Sequence, residues 1–195
     1  MVIKAVIFDL DGTITQPYFD FDAMREEIGL ARDSGPILES MEKMTAGQRK
    51  RAELILHSHE QKAVMESTLN PGAKRTLSAL RAAGIRIGVL TRNRKNNAFA
   101  IADKHGLKFD AVVDREDGPI KPDAFGVLRL CEQFGVKPQN TLVVGDYLFD
   151  LQCAKAAGAV AVLLTNHERA DEFAEHADFC IENISGILQI IKGKK

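Results

Sequence analysis

The chain alternates short apolar runs with longer segments in which apolar residues recur at helical spacing. Val6-Ile7-Phe8, Ile85-Arg86-Ile87-Gly88-Val89-Leu90, Ala111-Val112-Val113, Leu142-Val143-Val144 and Ala159-Val160-Ala161-Val162-Leu163-Leu164 read as strands, with a shorter one at Phe179-Cys180-Ile181. They are continuously apolar and not alternating, the pattern of strands buried on both faces of a parallel sheet. Between them the spacing predicts helices over about 72–83, 96–104 and 151–156, one beginning at Pro122, and a last one from about Ser185. Gly84 and Gly158 supply stops, and Pro122 suits a first helical turn. Repeated strand-helix units predict the α/β class: a doubly wound parallel sheet, Rossmann-like, in three α/β/α layers, with ligands beyond the carboxyl ends of the strands.

Residues 15–70 break this rhythm. They offer no convincing strand but three amphipathic helices, one carrying Phe21, Met24 and Ile28, one Ile37, Leu38 and Met41, and a longer one Ala52, Ile55, Leu56 and Ala63. The reading divides the chain into an α/β core of residues 1–14 and 71–195 and a small α-helical cap of residues 15–70, leaving at Thr15-Gln16-Pro17 and returning at Pro71-Gly72. An insert placed just after the first strand suits a lid over the catalytic edge. Within it His59 shares a stripe with Ile55 and Leu56 and faces either the cap's own core or the cleft, the core being the simpler reading. Arg49-Lys50-Arg51 reads as a solvated face, with an anionic substrate as the alternative, and Lys192-Gly193-Lys194-Lys195 as a solvated tail.

Length and charge narrow the function. With 195 residues there is room for one well-buried domain and a small insert. A net charge of -1 gives no basic excess for nucleic acid or an acidic membrane surface. No apolar run is long enough to span a bilayer, and the first residues run into the first strand rather than towards a cleavable signal. The expectation is a cytoplasmic protein, monomer or homodimer, acting on a small molecule. Cys131, Cys153 and Cys180 are odd in number and widely spaced, which suggests neither a disulfide framework nor a zinc site. Cys131 shares helical spacing with Ala124, Val127, Leu128 and Phe134 and reads as core.

Candidate chemistry gathers where the apolar runs end. Asp9 and Asp11, in Asp-Leu-Asp-Gly-Thr after the first strand, are two carboxylates that can divide phosphoryl transfer, one attacking and the other moving protons. On its own the pair fits an ordinary turn. Three further runs lead to groups useful to phosphate chemistry: the second into Thr91, followed by Arg92 and Asn93, the third towards Lys121, and the fourth into Gly145-Asp146, with Asp150 one helical turn on.

These four motifs, in this order and on these elements, resemble those of the haloacid dehalogenase superfamily of aspartate-nucleophile hydrolases, in its phosphoglycolate-phosphatase-like branch with a helical cap. The resemblance covers nearly the whole chain. It implies Asp9 as nucleophile and Asp11 as the acid/base, with Thr91 and Lys121 holding the transferring phosphoryl group. It implies Mg2+ as cofactor, bound by Asp9, the Asp11 backbone carbonyl, Asp146 and Asp150, the last directly or through water. Where the family commonly follows the threonine with asparagine, this chain has Arg92, and Asn93 comes one place later. Either is a candidate substrate reader, and Arg92 is either a reader of a second anionic group or simply solvated. Tyr147 stands where many relatives carry a small residue, to narrow the cleft or form a substrate wall. The implied activity is a Mg2+-dependent phosphatase that hydrolyses a small phosphorylated metabolite (phosphoglycolate, a sugar phosphate or a nucleotide) through an aspartyl phosphate. The alternatives are a phosphomutase of the same family and a non-catalytic phospho-acceptor or phosphate-binding regulatory module. Asp11 argues against a dehalogenase, whose chemistry does not need an acid for an alkoxide leaving group.

Overall fold

A computed structural model describes residues 2–193. The chain divides into two compact units, one running through Pro17 and resuming at Thr68, the other comprising Tyr18–Ser67.

In the larger unit the described residues form a six-stranded sheet of β1 (Ala5–Phe8), β2 (Arg86–Leu90), β3 (Ala111–Val113), β4 (Thr141–Gly145), β5 (Val160–Leu164) and β6 (Phe179–Ile181). The spatial order is β3-β2-β1-β4-β5-β6 and every pairing is parallel. Buried polar backbone must be paired, and the ladders do that for strands whose side chains are apolar on both faces. Phe8 is in register with Val89 on one side and Val144 on the other, and the Asp9 amide continues the second ladder by donating to Val144 O at 2.8 Å. The strand order makes the chain wind outwards from β1 to β3 and then from β4 to β6. Its direction therefore switches between β1 and β4, where a doubly wound sheet opens a crevice at the carboxyl ends.

In the smaller unit α1 (Phe21–Ile28), α2 (Ile37–Glu42) and α3 (Ala46–Glu66) bury Met24, Ile37, Met41, Ala52 and Leu56 together. Asp20 caps α1 by accepting the amides of Asp22 and Ala23, and Thr45 with Gln48 makes a capping box at the head of α3. Phe21, expected on the apolar stripe, is 54% exposed instead. It opens the helix and leans on the ring of Phe19, with centroids 5.8 Å apart, beyond the reach of the small core. His59 is not in the unit's buried apolar core. It is half-buried, and its ring nitrogen lies 2.7 Å from Glu27 Oε2, a bridge between α3 and α1. Arg49, Lys50 and Arg51 are exposed.

The larger unit's helices are α4 (Ala73–Ala82), α5 (Lys95–His105), α6 (Phe125–Phe134), α7 (Leu148–Ala157), α8 (Ala170–Phe173) and α9 (Ile187–Ile191). On one face of the sheet Val127, Leu130 and Cys131 of α6 and Leu151, Cys153 and Ala154 of α7 pack with Ile7, Leu90, Val143 and Leu163. Helix α4 packs on β2 and α9, burying Leu77 and Leu80. The helix expected from Pro122 starts three residues later, at Phe125, because the Asp123 carboxylate accepts the Phe125 amide at 2.7 Å and marks the start there. Cys131 and Cys153 are buried free thiols, and Cys180 is exposed. Burial, reinforced by the Asp150 charge, pushes the Cys153 thiol up to about 12, so it stays protonated in the core. No described helix is long and apolar enough to cross a membrane. Lys192 is exposed, and Lys194 and Lys195 of the expected tail lie outside the described residues.

Leu130 is fully buried where α6 meets the sheet. Leu130→Ala is expected to cost about 2–5 kcal/mol, the range for a leucine truncated in a close-packed core. Urea denaturation checks this, and a loss within error of zero would show that the site relaxes around the cavity.

Candidate active site

Four loops meet at the carboxyl ends of the central strands. Asp9 and Asp11 follow β1, Thr91 follows β2, Lys121 lies between β3 and α6, and Asp146 follows β4 with Asp150 in the first turns of α7. Asp9, Lys121, Asp146 and Asp150 are all buried, so their charges are answered by one another. Lys121 Nζ donates to Asp9 Oδ1 at 2.5 Å and to Asp150 Oδ1 at 2.6 Å. Burial opposes charge on the ammonium, but the carboxylates of Asp150 and Asp9 outweigh it and hold the Lys121 pKa above its ordinary value. Burial raises the Asp9 pKa well above the carboxylate range, with Lys121 pulling the other way and the charges of Asp150, Asp146 and Asp11 adding to the rise. Asp146 is pushed up to about 7, first by burial and then by Asp150. One ammonium does not neutralise three buried carboxylates.

Asp9, Asp146 and Asp150 each turn an oxygen inward, and these atoms lie within 4.8 Å of one another. Oxygens on opposite sides of a small octahedral cation are about 4.2 Å apart, twice a metal–oxygen distance of about 2.1 Å. Adjacent oxygens around it are about 3.0 Å apart, so the set is gathered to the size of such a site, and its donors are the hard anionic oxygens that a magnesium-like cation takes. Asp150 also does the capping work its position suggests, since its Oδ2 accepts the Tyr147 amide at 3.2 Å.

The loop after β1 is held more closely than its sequence reveals. Leu10 O accepts the amides of Ile14 and Thr15 and the Thr15 hydroxyl. Thr13 Oγ1 donates to Asp146 Oδ1 at 2.9 Å, tying the β1 loop to the β4 loop. Gly12 takes a φ of 94°, and a Cβ built there would collide with the Asp146 carboxylate, so only glycine fits. Its carbonyl accepts from Asn166 Nδ2 at 2.6 Å and Asn70 Nδ2 at 2.8 Å, and Asn70 also reaches the carbonyls of Thr13 and Thr15. Thr13, Asn70 and Asn166 were not singled out from the sequence. A weak signal was there: Asn70 stands directly before Pro71-Gly72, and Asn166 falls just after a strand.

Around Thr91 the structure departs from a simple substrate-reading motif. Thr91 donates its own amide to Val113 O, while Thr91 Oγ1 accepts the Asn93 amide at 3.0 Å, an arrangement that leaves the hydroxyl hydrogen to donate elsewhere. Arg92 is half-buried: Nη1 donates to Lys121 O at 2.7 Å and the guanidinium lies 5.0 Å from the Phe149 ring centroid, contacts that neither sequence alternative contains. Asn93 is buried and donates to Asp11 Oδ2 at 3.1 Å. Tyr147 packs edge-on against Phe149, His167 and Phe173, beside the α7 core.

Comparison with known proteins places the chain among similar sequences and folds. Residues 3–158 match the family model for haloacid dehalogenase-like hydrolases. The chain is 32% identical to an uncharacterized hydrolase of Saccharomyces cerevisiae over 97% of this chain and 91% of that one. It is 31% identical to a phosphoglycolate phosphatase of Nitrosospira multiformis, over 80% of this chain and 81% of the other. A crystal structure of a hydrolase from Pseudomonas syringae shares the fold, with a TM-score of 0.83 at 20% identity, covering 97% and 98% of the two chains.

Two outcomes follow from the crowded carboxylates. Gly12→Ala is expected to destabilise the fold by about 1–3 kcal/mol, through backbone strain alone before the collision with Asp146 is added, and urea denaturation reads it. The second concerns pH. Without a divalent cation the Asp146 value of about 7 lies above its ordinary 3.8, so the folded chain holds this proton more tightly than the unfolded chain does. Its contribution to stability is complete below the ordinary value and is lost as pH rises towards about 7. Magnesium should therefore raise the thermal midpoint more at about pH 8 than at about pH 5. Equal shifts at both would remove Asp146 from the cation site.

Proposed function

The chain belongs to the haloacid dehalogenase-like hydrolases, and from that membership we propose that it is a magnesium-dependent phosphatase of small phosphate monoesters that works through an aspartyl phosphate. The observation that carries this reading is the different company kept by two neighbouring carboxylates. Asp9 is buried and bonded to the Lys121 ammonium, whereas Asp11 is half-buried and accepts a hydrogen bond from Asn93 Nδ2. Carboxylates placed in such unlike surroundings suit unlike roles.

Asp9 attacks phosphorus and forms an oxygen–phosphorus bond while the bond to the ester oxygen breaks, and Asp11 gives its proton to that departing oxygen. Asp11 then takes a proton from water, the water oxygen attacks phosphorus, and phosphate leaves Asp9. The nucleophile must be ionised although burial opposes it, and Lys121 works against the burial. Lys121 and the Thr91 hydroxyl are the donors for the phosphoryl oxygens. Asp9, Asp146, Asp150 and the Asp11 carbonyl would hold the cation, which when bound offsets the repulsion between carboxylates and phosphate. Arg92 supports Lys121 through the lysine's carbonyl. Relatives named phosphoglycolate phosphatase put phosphoglycolate first among substrates to try, ahead of sugar phosphates and nucleotides.

Phosphate release from p-nitrophenyl phosphate, with magnesium or with EDTA, tests the proposal in wild type and Asp9→Asn side by side. Release that needs magnesium and falls at least about a thousandfold in Asp9→Asn is the expected result, since a nucleophile acts as part of a unit. Undiminished turnover by Asp9→Asn would exclude the covalent route. Stable labelling of Asp9 with no release would point to a phospho-acceptor instead.

A further inference from the structure

Thr13 is fully buried where the loops leaving β1 and β4 meet. Its hydroxyl donates to Asp146 Oδ1 at 2.9 Å, a bond from one wall of the crevice to the other between residues 133 positions apart. A hydroxyl has a single hydrogen, and here it is committed to the carboxylate. The side chain has little freedom to withdraw it, because a β-branched residue is stiff at χ1 and the Thr13 carbonyl is itself held by Asn70 Nδ2 at 2.8 Å. The second oxygen of the same carboxylate lies against Gly12, where a Cβ would come within 2.4 Å of Asp146 Oδ2. Both oxygens of Asp146 are thus set by the loop that also carries Asp9, which belongs to the same acidic set.

We propose that Thr13 is a positioning residue for cation binding: its hydroxyl fixes the Asp146 carboxylate in the orientation that faces Asp9 and Asp150, and so sets how tightly the three hold a magnesium-like ion. The inference rests on the reading of Asp9, Asp146 and Asp150 as the cation site. A carboxylate free to turn must be ordered when the ion binds, whereas one already held costs less to engage. A neutral donor achieves this without answering the charge, and the bonded oxygen keeps a further lone pair. An ammonium in the same place would compete with the ion, as Lys121 does at Asp9 and Asp150. Hydrogen-bond partners standing behind metal ligands orient them in this way. A purely architectural role predicts something else: loss of the hydroxyl would lower the stability of the fold and leave the cation affinity of the folded protein unchanged.

Manganese is the probe, since it takes the same octahedral oxygen sites and its unbound form is counted directly by electron paramagnetic resonance. Dissociation constants are measured without substrate, at one pH, for wild type, Thr13→Val and Thr13→Ser, with magnesium competing for the manganese site. The first variant keeps the branched shape without the hydroxyl, and the second keeps the hydroxyl. The expected result is that Thr13→Val binds manganese at least about tenfold more weakly, the lower end of what losing a partner behind a metal ligand costs, while Thr13→Ser recovers most of the loss. Wild-type affinity in folded Thr13→Val, or a loss in Thr13→Ser as large as in Thr13→Val, would overturn the proposal. Should Thr13→Val fail to fold, Thr13→Cys offers a similar volume and only a weak S–H donor: binding at least about threefold weaker than wild type would support the proposal, and wild-type affinity would overturn it. No manganese bound by wild type would overturn the cation site and the proposal together. The phosphatase reading stands or falls on phosphate release, which none of these constants measures.

Discussion

The site depends on one ammonium shared between two buried carboxylates. Lys121 donates to Asp9 and Asp150 together, and without it three acidic groups would be confined in a low-dielectric pocket without the ammonium that offsets them. Much of the surrounding structure serves to keep that nitrogen in place. Arg92 holds the Lys121 carbonyl and rests on Phe149, one residue before Asp150, so the loops after β2, β3 and β4 are joined at one point. The pairing is incomplete by charge, which leaves Asp9 and Asp146 raised and leaves room for a divalent cation to finish the neutralisation.

The loop after β1 answers a second constraint: it must bring the Asp9 and Asp11 side chains into one crevice within two residues of a strand. Glycine at position 12 allows the turn, and the close approach of Asp146 forbids any larger residue. Amide side chains replace the water that such a turn would otherwise recruit, with Asn70 and Asn166 converging on the Gly12 carbonyl and Thr13 reaching across to Asp146. Neutral donors suit this place. They satisfy carbonyls and orient carboxylates without adding charge to a centre whose electrostatic balance is already narrow.

The position of this centre follows from the winding of the sheet. The chain reverses direction between β1 and β4, so the loops that leave those strands diverge and open a crevice with Asp9 on one side and Asp146 on the other. The outer strands supply support, with Thr91 and Arg92 arriving from β2 and Asn166 from β5.

The sequence by itself determined the strands, their parallel character and the acidic motifs, because continuous apolar runs report burial on both faces and polar groups at their ends report the edge of the sheet. It also located the helices of the insert, where Met24, Met41 and Leu56 recur at helical spacing, although Phe21 lay on the same stripe and is exposed. Periodicity reports burial and says nothing of partners. The placing of Arg92 on a carbonyl, of Asn93 on Asp11 and of His59 on Glu27 was therefore decided only by the tertiary structure. The same holds for Thr13 with Asp146 and Asn166 with Gly12, which lie 133 and 154 positions apart. A hydrogen bond needs two atoms about 3 Å apart, and only the folded sheet brings groups so distant in the chain to that separation.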